Sequence, residues 1–213
     1  MEFISQELDD YVCSHSENEP SLLYDLNRQT HLEVLRPRML SGHFQGRVLS
    51  MLSNMIRPLS VLEIGTYTGY SALCFAEGLQ KGGRVITIDI NEELEDLVNE
   101  YISKSDYKDQ VECVIGDALE VIPSLNDEFD IVFIDADKQN YSAYYDLVFD
   151  KVKIGGYIIA DNVLWSGKVT EKYEETDRDT QLLMDFNMKV QNDVRVQNVL
   201  FPIRDGLMIA RKL

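Results

Sequence analysis

At 213 residues with a 45% hydrophobic fraction, the chain has the size and composition of one globular domain. Its apolar runs reach only strand length, short of the ~20 residues a membrane-spanning helix needs, and a formal charge of −17 opposes binding to nucleic acid or anionic lipid. Three widely spaced cysteines (Cys13, Cys74, Cys113) imply neither a disulfide framework nor a zinc knuckle, and without a basic leader or an apolar signal core the expected location is a reducing cytoplasm.

A single domain over 1–213 is expected, with a helical part over 1–57 and an α/β core over 58–213. Phe3, Ile4, Leu8, Tyr11 and Val12 form one helical stripe, and Leu22, Leu23 and Leu26 begin another that stops at Arg36-Pro37. A third helix is predicted from about Gly42 to Ile56, with Phe44, Val48, Met51, Leu52 and Met55 on its apolar side and the methionines filling the core. Strands are predicted at 61–64, 84–88, 111–115, 131–134 and 157–160, separated by helical patterns. That alternation specifies a doubly wound, mostly parallel sheet with helices on both faces. Two further strands, 194–200 and 206–211, follow an amphipathic helix (Leu182, Leu183, Phe186, Val190) and make seven, closing the sheet with an antiparallel strand. The polar stretch 166–180 reads either as a gate over a site or as ordinary solvated surface.

Glu63-Ile-Gly-Thr-Tyr-Thr-Gly-Tyr-Ser71 joins the first strand to a helix. A dinucleotide fingerprint would need glycine at positions 67 and 70, where both residues are tyrosine. The loop suits a nucleoside without phosphates. Asp89 ends the second strand, where an acid can accept hydrogen bonds from ribose hydroxyls; the alternative is that it caps the next helix, a task for which Asn91 is also placed. Gly116-Asp117-Ala118 follows the third strand, where an adenine would come to rest.

Ile131-Val-Phe-Ile-Asp-Ala-Asp-Lys138 and Gly156-Tyr-Ile-Ile-Ala-Asp-Asn162 are apolar runs that end abruptly in acid. In open α/β sheets ligands bind outside the carboxyl ends of the strands. Neighbouring strand ends lie roughly 5 Å apart, and two carboxylates at that distance repel unless a proton or a cation sits between them. Asp135, Asp161 and Asn162 therefore form an all-oxygen ligand set suited to Mg²⁺, Ca²⁺ or Mn²⁺. The alternative is that each Asp caps the helix after its strand. Lys138 lies on the same loop as Asp135, so its amine can reach a hydroxyl held there. It serves either as a base or as a charge that steadies the deprotonated oxygen. His15, His31 and His43 lie away from the strand ends and read as structural or surface residues.

Together, the loop 63–71, Asp89, 116–119, Val132-Phe-Ile-Asp-Ala-Asp-Lys138 with Asn140-Tyr141, Asp161-Asn-Val-Leu-Trp165 with Gly167, and Asp205-Gly-Leu-Met-Ile-Ala-Arg211 resemble the metal-dependent class I S-adenosylmethionine O-methyltransferases. The caffeoyl-CoA O-methyltransferase-like branch is the nearer relative and catechol O-methyltransferase a more distant one. The resemblance covers about residues 36–213 and implies a Rossmann-like fold. It also implies that Glu63, Gly65 and Thr66 hold the methionine and ribose parts of S-adenosylmethionine, and that Ser71 binds its carboxylate end. By the same resemblance Asp89 holds the ribose, Asp117 and Ala118 frame the adenine, Asp137 lies near the cofactor amine, and Ser41 contacts the cofactor. Asp135, Asp161 and Asn162 match the metal ligands, Lys138 the general base, and Trp165 lines the acceptor pocket. Ser166 stands where the plant pattern has Asn. The implied acceptor is a catechol-like or phenolic small molecule and the implied assembly a homodimer. A hydroxylated tRNA nucleoside and a non-catalytic nucleoside-binding role are the alternatives.

Overall fold

In a computed structural model that describes residues 4–213, the strand–helix alternation folds into a seven-stranded mixed sheet flanked by helices. Two compact units are distinguished, one formed by Gln6–Ala118 and the other including Leu119–Leu213. Of the expected first stripe, Phe3 lies outside the described residues.

The first unit contains α1 (Gln6–Ser14), α2 (Ser21–Glu33), α3 (Gly42–Ile56), β1 (Ser60–Ile64), α4 (Tyr70–Ala76), β2 (Arg84–Asp89), α5 (Glu95–Lys104) and β3 (Val111–Ile115). Its strands are parallel, in the order β3-β2-β1, with Val61 opposite Val85 and Val85 opposite Val111. All five residues of β1 are buried, as expected of a parallel strand covered on both faces. The strands end at Ile64, Asp89 and Ile115, so Gly65, Asp89 and Gly116 all emerge at carboxyl ends.

The third helix has the predicted bounds but buries the opposite face. Gln45, Gly46, Leu49, Ser50 and Ser53 are buried, whereas Met51 and Met55 are 60% and 74% exposed; the expectation that these methionines fill the core is incorrect. The reason is a close approach to α4. A Cβ on Gly46 would lie 2.6 Å from the Tyr70 ring, and one on Gly78 2.2 Å from the Ser53 backbone. Small residues permit that contact, and polar ones stitch it: Ser53 Oγ donates to Phe75 O at 2.6 Å, Arg47 makes a forked pair with Glu77 at 2.8 and 2.9 Å, and Ser50 also donates to Glu77. The α1 stripe is likewise uncovered, with Leu8 48% and Tyr11 59% exposed.

After α6 (Ala118–Ser124) come β4 (Phe129–Ile134), α7 (Tyr141–Phe149), β5 (Val152–Ala160), α8 (Arg178–Asn192), β6 (Val196–Phe201) and β7 (Leu207–Lys212). In the second unit the order is β4-β5-β7-β6, and β7 runs antiparallel to both neighbours. Its core joins Ile131–Ile134 and Ile158–Ala160 to Tyr141, Tyr145 and Val148 of α7 and to Leu183, Phe186 and Val190 of α8. β5 begins five residues earlier than predicted. The register steps from Val152 opposite Phe129 to Tyr157 opposite Ile131, so β5 carries extra residues, Gly155-Gly156 among them, in a bulge beside β4.

Asp193 closes α8. Its carboxylate accepts from Arg195 Nε and Nη2 at 2.8 and 2.6 Å and from Tyr145 OH at 3.0 Å. The Arg195 guanidinium holds this carboxyl well below the usual carboxylate range. A depressed folded-state pKa contributes stability above the unfolded value of about 4 and loses it as pH falls toward the folded value. Asp193→Asn is therefore expected to melt lower than the parent at pH 7, with the gap narrowing below about pH 4; a gap independent of pH in calorimetric scans would contradict this.

Candidate functional site

Each unit carries a cluster at its strand ends. In the first, Glu63 is buried on β1, and its Oε2 accepts from Thr87 Oγ1 at 2.5 Å; the Thr66 and Thr87 hydroxyls are 2.6 Å apart. The loop beyond turns through left-handed conformations at Tyr67 (φ +50°) and Gly69 (φ +83°). It is pinned by Asp89, whose carboxylate accepts from the Tyr67 amide at 2.7 Å and the Asn91 amide at 2.9 Å. Asn91 caps the next turn, accepting from the Glu93 amide at 3.1 Å, as its position predicted. Tyr67 OH donates to the carbonyls of Leu35 and Arg36 at 3.1 and 3.3 Å, tying the loop to the segment that leads to Ser41. Ser41, Thr66, Ser71 and Ala118 are buried, and Asp117 is half-buried at the end of β3. Burial, reinforced by Asp89, pushes the neighbouring Cys113 thiol up to about 11.

In the second unit Ile134 pairs with Ala160, so Asp135 and Asp161 leave adjacent strands at the same level. Asp161 is 2% exposed, and its amide extends the ladder to Ile134 O at 2.9 Å. Its Oδ1 accepts from the Asn162 amide at 2.6 Å, in a turn that places Asn162 at φ +57°. Lys138 Nζ lies 2.9 Å from Asn162 Oδ1, 3.5 Å from Asp135 Oδ1 and 2.5 Å from Tyr141 OH, and Tyr141 OH donates to Asp161 O at 3.0 Å. Burial pushes the Tyr141 phenol well above its usual range, with Asp135, Asp161 and Asp137 adding to the effect. Asp137 accepts from Tyr144 OH at 2.6 Å and Asn140 Nδ2 at 2.8 Å. The Trp165 ring centroid is 5.7 Å from Lys138 Nζ. Asp135, Lys138, Asn162 and Trp165 thus meet at one place, with Asp161 directly beneath.

Two residues of this cluster were given no role from sequence. For Tyr141 the sequence signal is its place three residues after Lys138, on the helix entry. Asp205 holds the turn that carries Trp165: its Oδ1 accepts from the Ser166 amide at 2.5 Å, and its carbonyl from the Leu164 amide at 2.8 Å. Burial raises the Asp205 carboxyl. Trp165 and Ser166 both have positive φ, +46° and +56°, so the turn stores strain that such bonds must offset. The stretch beyond forms two short 3₁₀ turns, and Asp177 closes it by pairing with Lys168 at 2.7 Å and capping α8 through Thr180 N at 2.8 Å.

The fit of this cluster to a cation can be judged from its own donors. Asp135 Oδ1 and Asn162 Oδ1 converge on Nζ of Lys138, with the Asp161 carboxylate next in sequence, a hard oxygen set that fits a divalent ion of the Mg²⁺ or Ca²⁺ type. Among the described residues no group of three or more His, Cys, Asp or Glu side chains is arranged to hold a metal, so two carboxylates and an amide are the set available. His15, His31 and His43 each bond a backbone carbonyl (Tyr11, Asn27 and Glu17) in the first unit. No helix among the described residues is long and apolar enough to cross a membrane.

A family model described as O-methyltransferase matches residues 13–213. A caffeoyl-CoA O-methyltransferase of Mesembryanthemum crystallinum is 36% identical over 188 residues, which cover 82% of this chain and 73% of that protein. Among solved structures, the O-methyltransferase from Bacillus cereus in complex with SAH is 29% identical, with a TM-score of 0.86 over 97% of each chain. The SAH-bound methyltransferase of Podospora anserina is 25% identical, with a TM-score of 0.89 over 99% of this chain and 97% of that one.

Proposed function

This chain belongs to the O-methyltransferase family, and from that premise we propose that it moves a methyl group from S-adenosylmethionine to a hydroxyl of a catechol-like or phenolic small molecule, assisted by a divalent cation. The single observation that carries the cation-assisted reading is the convergence of Asp135 Oδ1 and Asn162 Oδ1 on the Lys138 amine beside Asp161.

In this reading the Gly65–Gly69 turn, Glu63, Ser41 and Ser71 bind the methionine and ribose parts of the cofactor. Asp89 holds the ribose, Asp117 and Ala118 frame the adenine, and Asp137 lies near the amine. Asp135, Asp161 and Asn162 hold the cation. When bound, S-adenosylmethionine supplies an electrophilic sulfonium methyl, and the cation supplies Lewis acidity that favours loss of the acceptor's hydroxyl proton. A phenol with a pKa near 10 is mostly protonated at neutral pH, so the proton needs a destination, and Lys138 Nζ in its neutral amine form, with a lone pair free, accepts it. The acceptor oxygen then forms its bond to the methyl carbon as the carbon–sulfur bond breaks, leaving S-adenosylhomocysteine and a methyl ether. In-line attack requires the oxygen within about 3 Å of the methyl carbon, and Trp165 supplies the wall that orients the acceptor ring.

The test is methyl transfer from labelled S-adenosylmethionine to a panel of catechols and caffeoyl-CoA, with Mg²⁺ and with EDTA. Turnover that EDTA abolishes and Mg²⁺ restores is the expected result; turnover indifferent to EDTA would overturn the role given to Asp135, Asp161 and Asn162. The charge of −17 favours a small acceptor over RNA. A homodimer belongs to the same proposal, supported by the exposed apolar residues of α1 and α3, and so does a reducing cytoplasmic location, supported by three free cysteines.

A further inference from the structure

We infer that Tyr141 is a positioning residue that holds the Lys138 amine and the Asp161-Asn162 turn in one fixed relation. This rests on the role proposed above for Lys138 and extends it to a residue with none.

Tyr141 is fully buried at the start of α7, with its ring edge-on to Phe186 at 5.4 Å. A phenol hydroxyl has one hydrogen to donate and lone pairs that accept. The Asp161 carbonyl can only accept, so at 3.0 Å it takes that hydrogen. The 2.5 Å contact to Lys138 must then run the other way, from an N–H of the amine to the phenol oxygen. An ammonium and a neutral amine both carry such an N–H, so this contact does not depend on whether Lys138 holds its proton. The Asp135 attraction at 3.5 Å does depend on it. The ring adds a second hold, since Nζ lies 4.5 Å from the Tyr141 centroid. A lysine stem has four rotatable carbons and little stiffness of its own, and a misplacement of about 1 Å at a reacting group can cost on the order of 100-fold in rate. One buried hydroxyl therefore ties the proposed proton acceptor to the backbone of the proposed cation ligands.

A double-mutant cycle tests the pairing. Tyr141→Phe keeps the ring and its contact with Phe186 and removes only the hydroxyl; Lys138→Met keeps the stem and removes the amine. Unfolding midpoints in urea for the parent, both single variants and the double variant need no acceptor. The expected result is strong coupling, with the double variant unfolding no earlier than the less stable single variant. Additive losses would overturn the inference. On the acceptor that gives the highest turnover, Tyr141→Phe is expected to lower kcat about tenfold or more while leaving KM for S-adenosylmethionine unchanged; a parent-like kcat would equally overturn it. Failure of the underlying reading looks different: Lys138→Met would then turn over at the parent rate.

Discussion

Asp161→Asn is expected to lower kcat/KM by about 1,000-fold, the equivalent of roughly 4 kcal/mol of transition-state stabilisation lost with the cation. The substitution is nearly isosteric at a 2% exposed position, and the amide oxygen can still accept from the Asn162 amide as Oδ1 does now. The backbone carbonyl that receives the Tyr141 hydrogen is untouched. What disappears is one negative charge from a set of two carboxylates and an amide, so calorimetric Mg²⁺ affinity is expected to fall with the rate. Affinity for S-adenosylhomocysteine is expected to hold, because the substitution leaves the Gly-rich turn, Asp89 and the Asp137 bonds to Tyr144 and Asn140 unaltered. Full Mg²⁺-dependent turnover by the variant would remove Asp161 from the cation site. Loss of cofactor affinity together with turnover would point instead to a general collapse of the strand end.

Gly78→Ala is expected to cost about 3 kcal/mol or more, which for a chain of this size lowers the melting temperature by roughly 6–12 °C. The new Cβ would lie 2.2 Å from the Ser53 carbonyl carbon and 2.3 Å from the Asn54 amide nitrogen. Both are backbone atoms of a helix and cannot swing aside as a side-chain tip would. Gly82→Ala is the control. It meets nothing within 4 Å, so its only cost is an alanine at φ +80°, about 1 kcal/mol. If the two variants melt together by calorimetry, the tight approach of α3 and α4 is not what selects glycine at position 78.

The α3–α4 contact also marks where reading by hydrophobic pattern fails. Phe44, Val48, Met51, Leu52 and Met55 recur at helical spacing, and the pattern assigns that side to the interior. Periodicity counts apolar groups but not how closely two backbones can pack. Here glycine and serine on the other side permit the closer approach, and hydrogen bonds from Ser53 and Arg47 to Phe75 and Glu77 tie the two helices across it. The late start predicted for β5 has a related cause: its first pairing, Val152 with Phe129, is separated from the regular run that begins at Tyr157 opposite Ile131 by a bulge in β5 itself, and the local apolar pattern marks only the regular run.

The sequence by itself determined the order of elements, the seven strands with a reversed last one, and the strand-end positions of Gly65, Asp89, Asp135 and Asp161. These follow from local rules: a buried parallel strand is a short apolar run, and a residue that ends it abruptly with charge is at its mouth. Only the tertiary structure decided which partners those residues take. That Asp89 holds the Tyr67 amide, that Tyr141 stands between Lys138 and the Asp161 carbonyl, and that Asp205 secures the Trp165 turn are contacts across 22, 20 and 39 residues. Each depends on strand register and helix placement, which no local pattern encodes, because hydrogen-bond partners are chosen by distance in space rather than along the chain.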